Sequence, residues 1–329
     1  MREGLFLKKN VEKWNSYQHT APADPDETAE RFITLLDDLS YARTFYPHSK
    51  VTHWINGITA GLYLRLYRKK REQFSRIFSF WRFELPLLFR KYHNVLLFAL
   101  GVFVLFTAVG VIGAAREEGF IRSILTDEYV EMTERNIRNG DPFGVYRSDS
   151  SFAMFVRIAL NNIFVAFLMA AGGLLAGIGT IYSMWNNGLM LGSFQYMFFS
   201  KGLGWQSILV IWTHGTLEIL ALVISATAGF IITKGILFPG TYSRLYSFRQ
   251  HVKDALKLMI VLVPVFLAAA FLESYVTRLM SNTFDHQHNA GLPVWVGISI
   301  LAGSLLFILW YFVILPIRLQ KRYGLHSKT

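Results

Sequence analysis

The stretch Asn186-Asn-Gly-Leu-Met-Leu-Gly-Ser-Phe-Gln-Tyr-Met-Phe-Phe-Ser-Lys201 decides the fold. Its apolar part, Gly188–Phe199, is too short to cross a bilayer as a regular helix, which takes about 20 residues, and it is flanked by amides and a lysine. Five neighbouring runs are longer: 95–115, 163–184, 205–233, 256–275 and 293–315. If the short piece at 187–200 also crosses, six spans bring every basic segment to one side; if it does not, residues 234–257 and the C-terminal tail fall on sides that their charge disfavours. Six spans are therefore expected, the third short or broken and enclosed by protein, because exposed backbone is tolerated at membrane depth only there.

Composition agrees with this reading. Of 329 residues 53% are apolar and only 17% charged, and mean hydropathy is +0.33, where soluble domains carry roughly a quarter charged residues. Disorder, collagen and coiled coil are excluded, and with no Cys the chain has no disulfide, thiolate metal site or cysteine nucleophile. The net charge of +11 is unevenly placed: residues 1–94 carry 16 basic and 10 acidic side chains, and 116–151 carry 5 and 8. Lys234, Arg244, Arg249, Lys253 and Lys257 face Asp254 alone, and the 318–329 tail carries Arg318, Lys321, Arg322 and Lys328. This is the loop asymmetry of a multi-pass protein of the cytoplasmic (inner) membrane with both termini in the cytosol. No stacking platform or helix-turn-helix accompanies the cations, so no nucleic-acid partner is expected. The N-terminus has no apolar stretch long enough for a secretory signal.

Residues 1–73 read as a soluble helical domain. Pro25 and the acidic residues after it start one helix, Tyr46-Pro47 ends it, and Val51, Trp54, Ile55, Ile58, Leu62 and Leu66 share one side of the next, which closes on the basic cluster Arg68–Arg71. Residues 74–94 mix Phe74, Phe78, Trp81 and Phe89 with Arg76, Arg82, Arg90 and Lys91, as suits either a helix in the headgroup layer or a linker packed on the bundle. In the external 116–151 loop, Glu118–Arg138 reads as one amphipathic helix ended by Asn139-Gly140-Asp141-Pro142. Adjacent pairs such as Asp37-Asp38 read as solvated faces.

Charge at membrane depth costs about 2.5–3.5 kcal/mol per group on insertion scales, so each such group needs a reason. His214 and Glu218 are four apart, hence on one face of the fourth span. Asn161 and Asn162 stand in the second span, Asn186 and Asn187 join the second to the third, and Glu273 closes the fifth. Two readings stand: a buried structural network, or an ion or proton path with His214 and Glu218 as the relay. A metal is not expected, because His214 and Glu218 lack a third ligand and His286 and His288 sit on a loop. The first reading is preferred, since no second acidic row crosses the bilayer. Gly173 and Gly177, and Gly188 and Gly192, form G-x-x-x-G pairs that let helices approach closely; Gly215 is grouped with them, and such faces also suit self-association. No phosphate loop, nucleophile elbow or H-E-x-x-H occurs, so neither catalysis nor a cofactor is expected.

These residues resemble the stage II sporulation protein M family in its longer form. The likeness rests on Phe80-Trp-Arg-Phe-Glu-Leu-Pro-Leu-Leu-Phe-Arg90, Asn161-Asn162, Asn187-Gly188-Leu-Met-Leu-Gly192, Thr213-His214-Gly215-Thr216-Leu217-Glu218, and the acidic Glu273 in the next span. A proline commonly precedes the signature histidine; here Thr213 stands there. The resemblance implies a non-catalytic membrane partner of peptidoglycan-degrading proteins. The expectation is an all-α six-span bundle with a soluble helical N-terminal domain, acting in the lipid bilayer as a scaffold for envelope proteins. The alternative is a transporter or channel with a path past His214 and Glu218.

Overall fold

The computed structural model describes residues 2–20, 22, 24–67, 74–147, 150–285 and 291–323. The basic cluster 68–71, His286, His288 and Lys328 lie outside these. Every regular element among the described residues is helical, and the chain divides into two compact units, Met1–Ile77 and Phe78–Thr329.

The first unit is built on α1 (Glu3–His19), α2 (Pro25–Phe45) and α3 (Lys50–Tyr67). Asp24 caps α2 by accepting the Glu27 amide at 2.7 Å, with Pro25 in the first turn, where its missing N–H costs nothing. Trp14, Leu35 and Ile55 are fully buried between the helices. Asp38 is more than a solvated face: it accepts the Trp14 indole N–H at 2.8 Å and pairs with Lys13 at 2.6 Å.

The second unit begins in α4 (Phe74–Ser79), which passes through a π turn at Phe80–Glu84 into α5 (Leu85–Lys91). Leu85, Leu88 and Phe89 are buried against the bundle, while Ile77 and Phe78 stay exposed. The helices that follow are α6 (His93–Arg116), α7 (Glu118–Leu125), α8 (Asp127–Arg138), α9 (Ser151–Ala171), α10 (Ile178–Ser200), α11 (Gly204–Leu237), α12 (Arg244–Phe271), α13 (Arg278–Asn282), α14 (Val294–Ile308) and α15 (Leu315–Tyr323). A π turn at Leu272–Thr277 joins α12 to α13, and another at Leu309–Ile314 joins α14 to α15. Among the described residues five stretches are long and apolar enough to span a membrane: 93–116, 151–175, 204–237, 244–282 and 294–323. The most enclosed is α11, around which α6, α9, α10, α12 and α14 pack.

The stretch quoted first corrects the expectation drawn from it. It is neither short nor broken: it is the second half of α10, a continuous 23-residue helix, less apolar than the five spans. The reversal expected at Asn186-Asn187 lies at residues 172–177, so the second span covers 151–175 and not 163–184. Glycine makes this turn possible. Gly177 takes φ +85° next to Ala176 at +52°, and a Cβ on Gly173 would lie 2.1 Å from the Gly229 carbonyl oxygen of α11. Gly173 and Gly177 therefore make a turn, not one helix face.

Two ends of the bundle can be told apart by their contacts. At one, Asp254 of α12 accepts the Tyr92 hydroxyl at 2.8 Å and Lys91 at 2.6 Å, Arg90 of α5 meets Gln320 of α15, and Lys257 meets Glu84. At the other, Lys201 after α10 reaches Glu134 of α8 at 3.3 Å. The amphipathic stretch Glu118–Arg138, expected as one helix, is two helices, broken at Thr126 (φ +72°), whose hydroxyl caps α8.

Candidate functional site

The enclosed helix α11 supplies the first two groups. His214 and Glu218 lie on one face of α11, and at 1.5 Å per residue Glu218 stands roughly 21 Å along it from Gly204, well inside the apolar run. The third comes from the π turn after α12. That wider i→i+5 turn presents both Glu273 and Thr277 to His214. Donor atoms of His214, Glu218 and Glu273 lie within 4.8 Å of one another. His214 Nε2 and Glu273 Oε1 are 4.0 Å apart, too far for a hydrogen bond. The carboxyls of Glu218 and Glu273 lie within 4.8 Å of each other, and Asn162 of α9 donates its amide to Glu218 Oε1 at 2.7 Å.

The orientation of the imidazole follows from a chain of hydroxyls. The Val210 carbonyl can only accept, so Thr213 donates to it at 2.9 Å. Having spent its one proton, Thr213 accepts from Thr277 at 3.3 Å. Thr277 in turn accepts from His214 Nδ1–H at 2.9 Å. The proton of the neutral ring is thereby fixed on Nδ1, and Nε2 turns its lone pair toward Glu273.

These groups border a cavity of about 370 Å³ walled by Phe103, Met190, Phe194, Ile211, Leu222 and, from α8, Tyr129. An apolar pocket with a few converging polar groups is the usual form of a ligand site. Burial pushes the Tyr129 phenol up to about 12; its bond with Thr133 works against this, and the charge of Glu273 adds to it.

The structure separates the polar residues singled out in the sequence. His214, Glu218, Glu273 and Asn162 come together. Asn161 is exposed and donates to Asn162 at 3.4 Å. Asn186 is exposed on α10 and joins no network among the described residues. Asn187 lines the cavity, its amide donating to the Ser183 carbonyl one turn back at 2.8 Å. Gly188 and Gly192 lie against α6, where a Cβ on Gly192 would stand 2.2 Å from the Thr107 carbonyl oxygen. Among the described residues Gly215 packs against no neighbouring helix: a Cβ there would meet nothing closer than 4.0 Å, and it faces the cavity. Thr213, Thr277 and Tyr129 were not foreseen as site residues, since a hydroxyl in an apolar helix ordinarily bonds its own backbone.

Residues 95–278, more than half of the chain, match the family described as stage II sporulation protein M. Residues 4–68 match a domain of unknown function (DUF8413). An uncharacterized protein of Methanocaldococcus jannaschii is 34% identical over 128 residues, covering 37% of this chain and 70% of that protein. No solved structure matches the chain.

Proposed function

The chain belongs to the stage II sporulation protein M family, and from that premise we propose a non-catalytic protein of the cytoplasmic membrane that binds a small cation, a proton or a metal ion, at His214, Glu218 and Glu273 and passes it across the bilayer. The observation that carries the reading is the arrival of Glu273 beside the His214–Glu218 pair at the wall of a cavity. One carboxylate beside a histidine can be a structural device. Two carboxyls within 4.8 Å of each other at membrane depth repel when both are charged, and the repulsion is relieved by a cation that joins them. Broken helical geometry at such a point, here the π turn carrying Glu273, accompanies ion sites in carriers.

Purified protein in liposomes under an imposed proton or divalent-cation gradient tests it. Flux in the wild type that falls at least tenfold in Glu218→Gln supports the reading, and a folded wild type without flux for any cation removes it. A scaffold for envelope proteins is favoured by a separate feature: α8 exposes Asp127, Glu128 and Glu131 at the acidic end of the bundle. That reading expects no flux, and envelope proteins crosslinked to α8.

A further inference from the structure

We propose that His214, Glu218 and Glu273 form a binding site for one divalent first-row transition-metal ion, with His214 Nε2 and a carboxylate oxygen from each glutamate as ligands. The inference deepens the cation-binding reading and rests on it; metal binding is measured apart from transport, so the two fail separately.

Charge selects the valence. Two carboxylates and a neutral imidazole carry −2, which a divalent ion cancels and a monovalent ion leaves half uncancelled, and uncancelled charge is what this depth penalises most. Donor type selects the metal. Magnesium and calcium take oxygen ligands, whereas an imidazole nitrogen with carboxylates suits zinc, iron or manganese.

The groups behind the ligands are those that such a site requires. A metal-binding histidine donates its other N–H to a partner that fixes tautomer and ring orientation; here Nδ1–H goes to Thr277, and the hydroxyl chain through Thr213 to the Val210 carbonyl holds that polarity. Glu218 is held by the Asn162 amide. Ligands around such an ion sit about 2.0–2.2 Å from it, so neighbouring donors lie roughly 3–3.5 Å apart. The present spread, up to 4.8 Å, closes with side-chain rotations of about an ångström. The cavity leaves space for a further ligand from solution.

The test uses the full chain in detergent micelles, stripped with a chelator, then titrated with Zn²⁺ and, for its visible absorption, with Co²⁺. The wild type is expected to retain one equivalent of Zn²⁺ and to give Co²⁺ bands of a nitrogen-containing site. His214→Ala, Glu218→Gln and Glu273→Gln are expected to weaken binding at least 100-fold, and Thr277→Val, which removes no ligand, about 10–100-fold with shifted Co²⁺ bands. His251→Ala should bind as the wild type does. Wild type without a retained equivalent overturns the proposal, even where the same protein carries protons in liposomes. Undiminished binding in the ligand variants also overturns it, because the metal then sits on other histidines. Should a glutamate variant fail to fold, Thr277→Val decides: wild-type affinity with unshifted bands overturns the site.

Discussion

His214 of α11 and Glu273 of the π turn after α12 face each other with Nε2 and Oε1 4.0 Å apart, and the Thr277 hydroxyl holds the far side of the same imidazole at 2.9 Å. Glu273 and Thr277 are four apart in one wide turn, so the element that brings the carboxyl also fixes the ring. The π turn carries both groups and sets how they meet α11.

Gly192 and Gly215 should respond to alanine with opposite signs. At Gly192 the added methyl meets the Thr107 carbonyl of α6, and overpacking of this kind costs about 1–3 kcal/mol. At Gly215 it enters open space, and alanine gains up to about 1 kcal/mol of helix propensity. Thermal unfolding in micelles reads both, and a destabilised Gly215→Ala would contradict the placement of Gly215 on the cavity.

Bulk at that same position should block function without unfolding the bundle. Gly215→Leu projects into the cavity beside His214 and Glu218, so flux should fall at least tenfold while the melting temperature stays near wild type. Unchanged flux would mean that the cavity is not on the path.

Tyr129 should ionise near 12 in place of about 10. Its folded value is raised, so the stability it contributes is complete below pH 10 and is lost as pH rises toward 12. The phenolate absorbance of wild type minus Tyr129→Phe measures this. Ionisation at the ordinary value would mean that the phenol is not buried against the bundle.

Asp254 is the buried anchor of the opposite end, bonded to Tyr92 and Lys91. Lys91 is half exposed, so freeing it costs little; leaving the Tyr92 hydroxyl unpaired costs more. Asp254→Ala should destabilise by about 1–3 kcal/mol, with Tyr92→Phe recovering part of it in the double variant. Fully additive losses would show that the two do not interact.

Much of the architecture was legible in the sequence because apolar length and charge asymmetry are strong signals, and the His214–Glu218 pair because helical spacing alone puts both on one face. The position of the second reversal was not. Asn186-Asn187 looked like a polar break, yet one amide side chain faces outward and the other is satisfied by its own helix through Ser183. The glycines around 172–177 looked like a packing face, and only the backbone shows that Gly177 is left-handed. Glu273 was visible as an acidic residue at the end of a span; it meets His214 from a π turn, and the sequence carries no pattern that marks one.

The most direct measurement is cation flux in liposomes for wild type, Glu218→Gln, Glu273→Gln and the double variant, each checked as folded and monodisperse. If the two carboxyls serve one ion together, either single change abolishes most of the flux and the double loses scarcely more. Single variants that each retain wild-type flux, or losses that multiply in the double, would contradict a shared site.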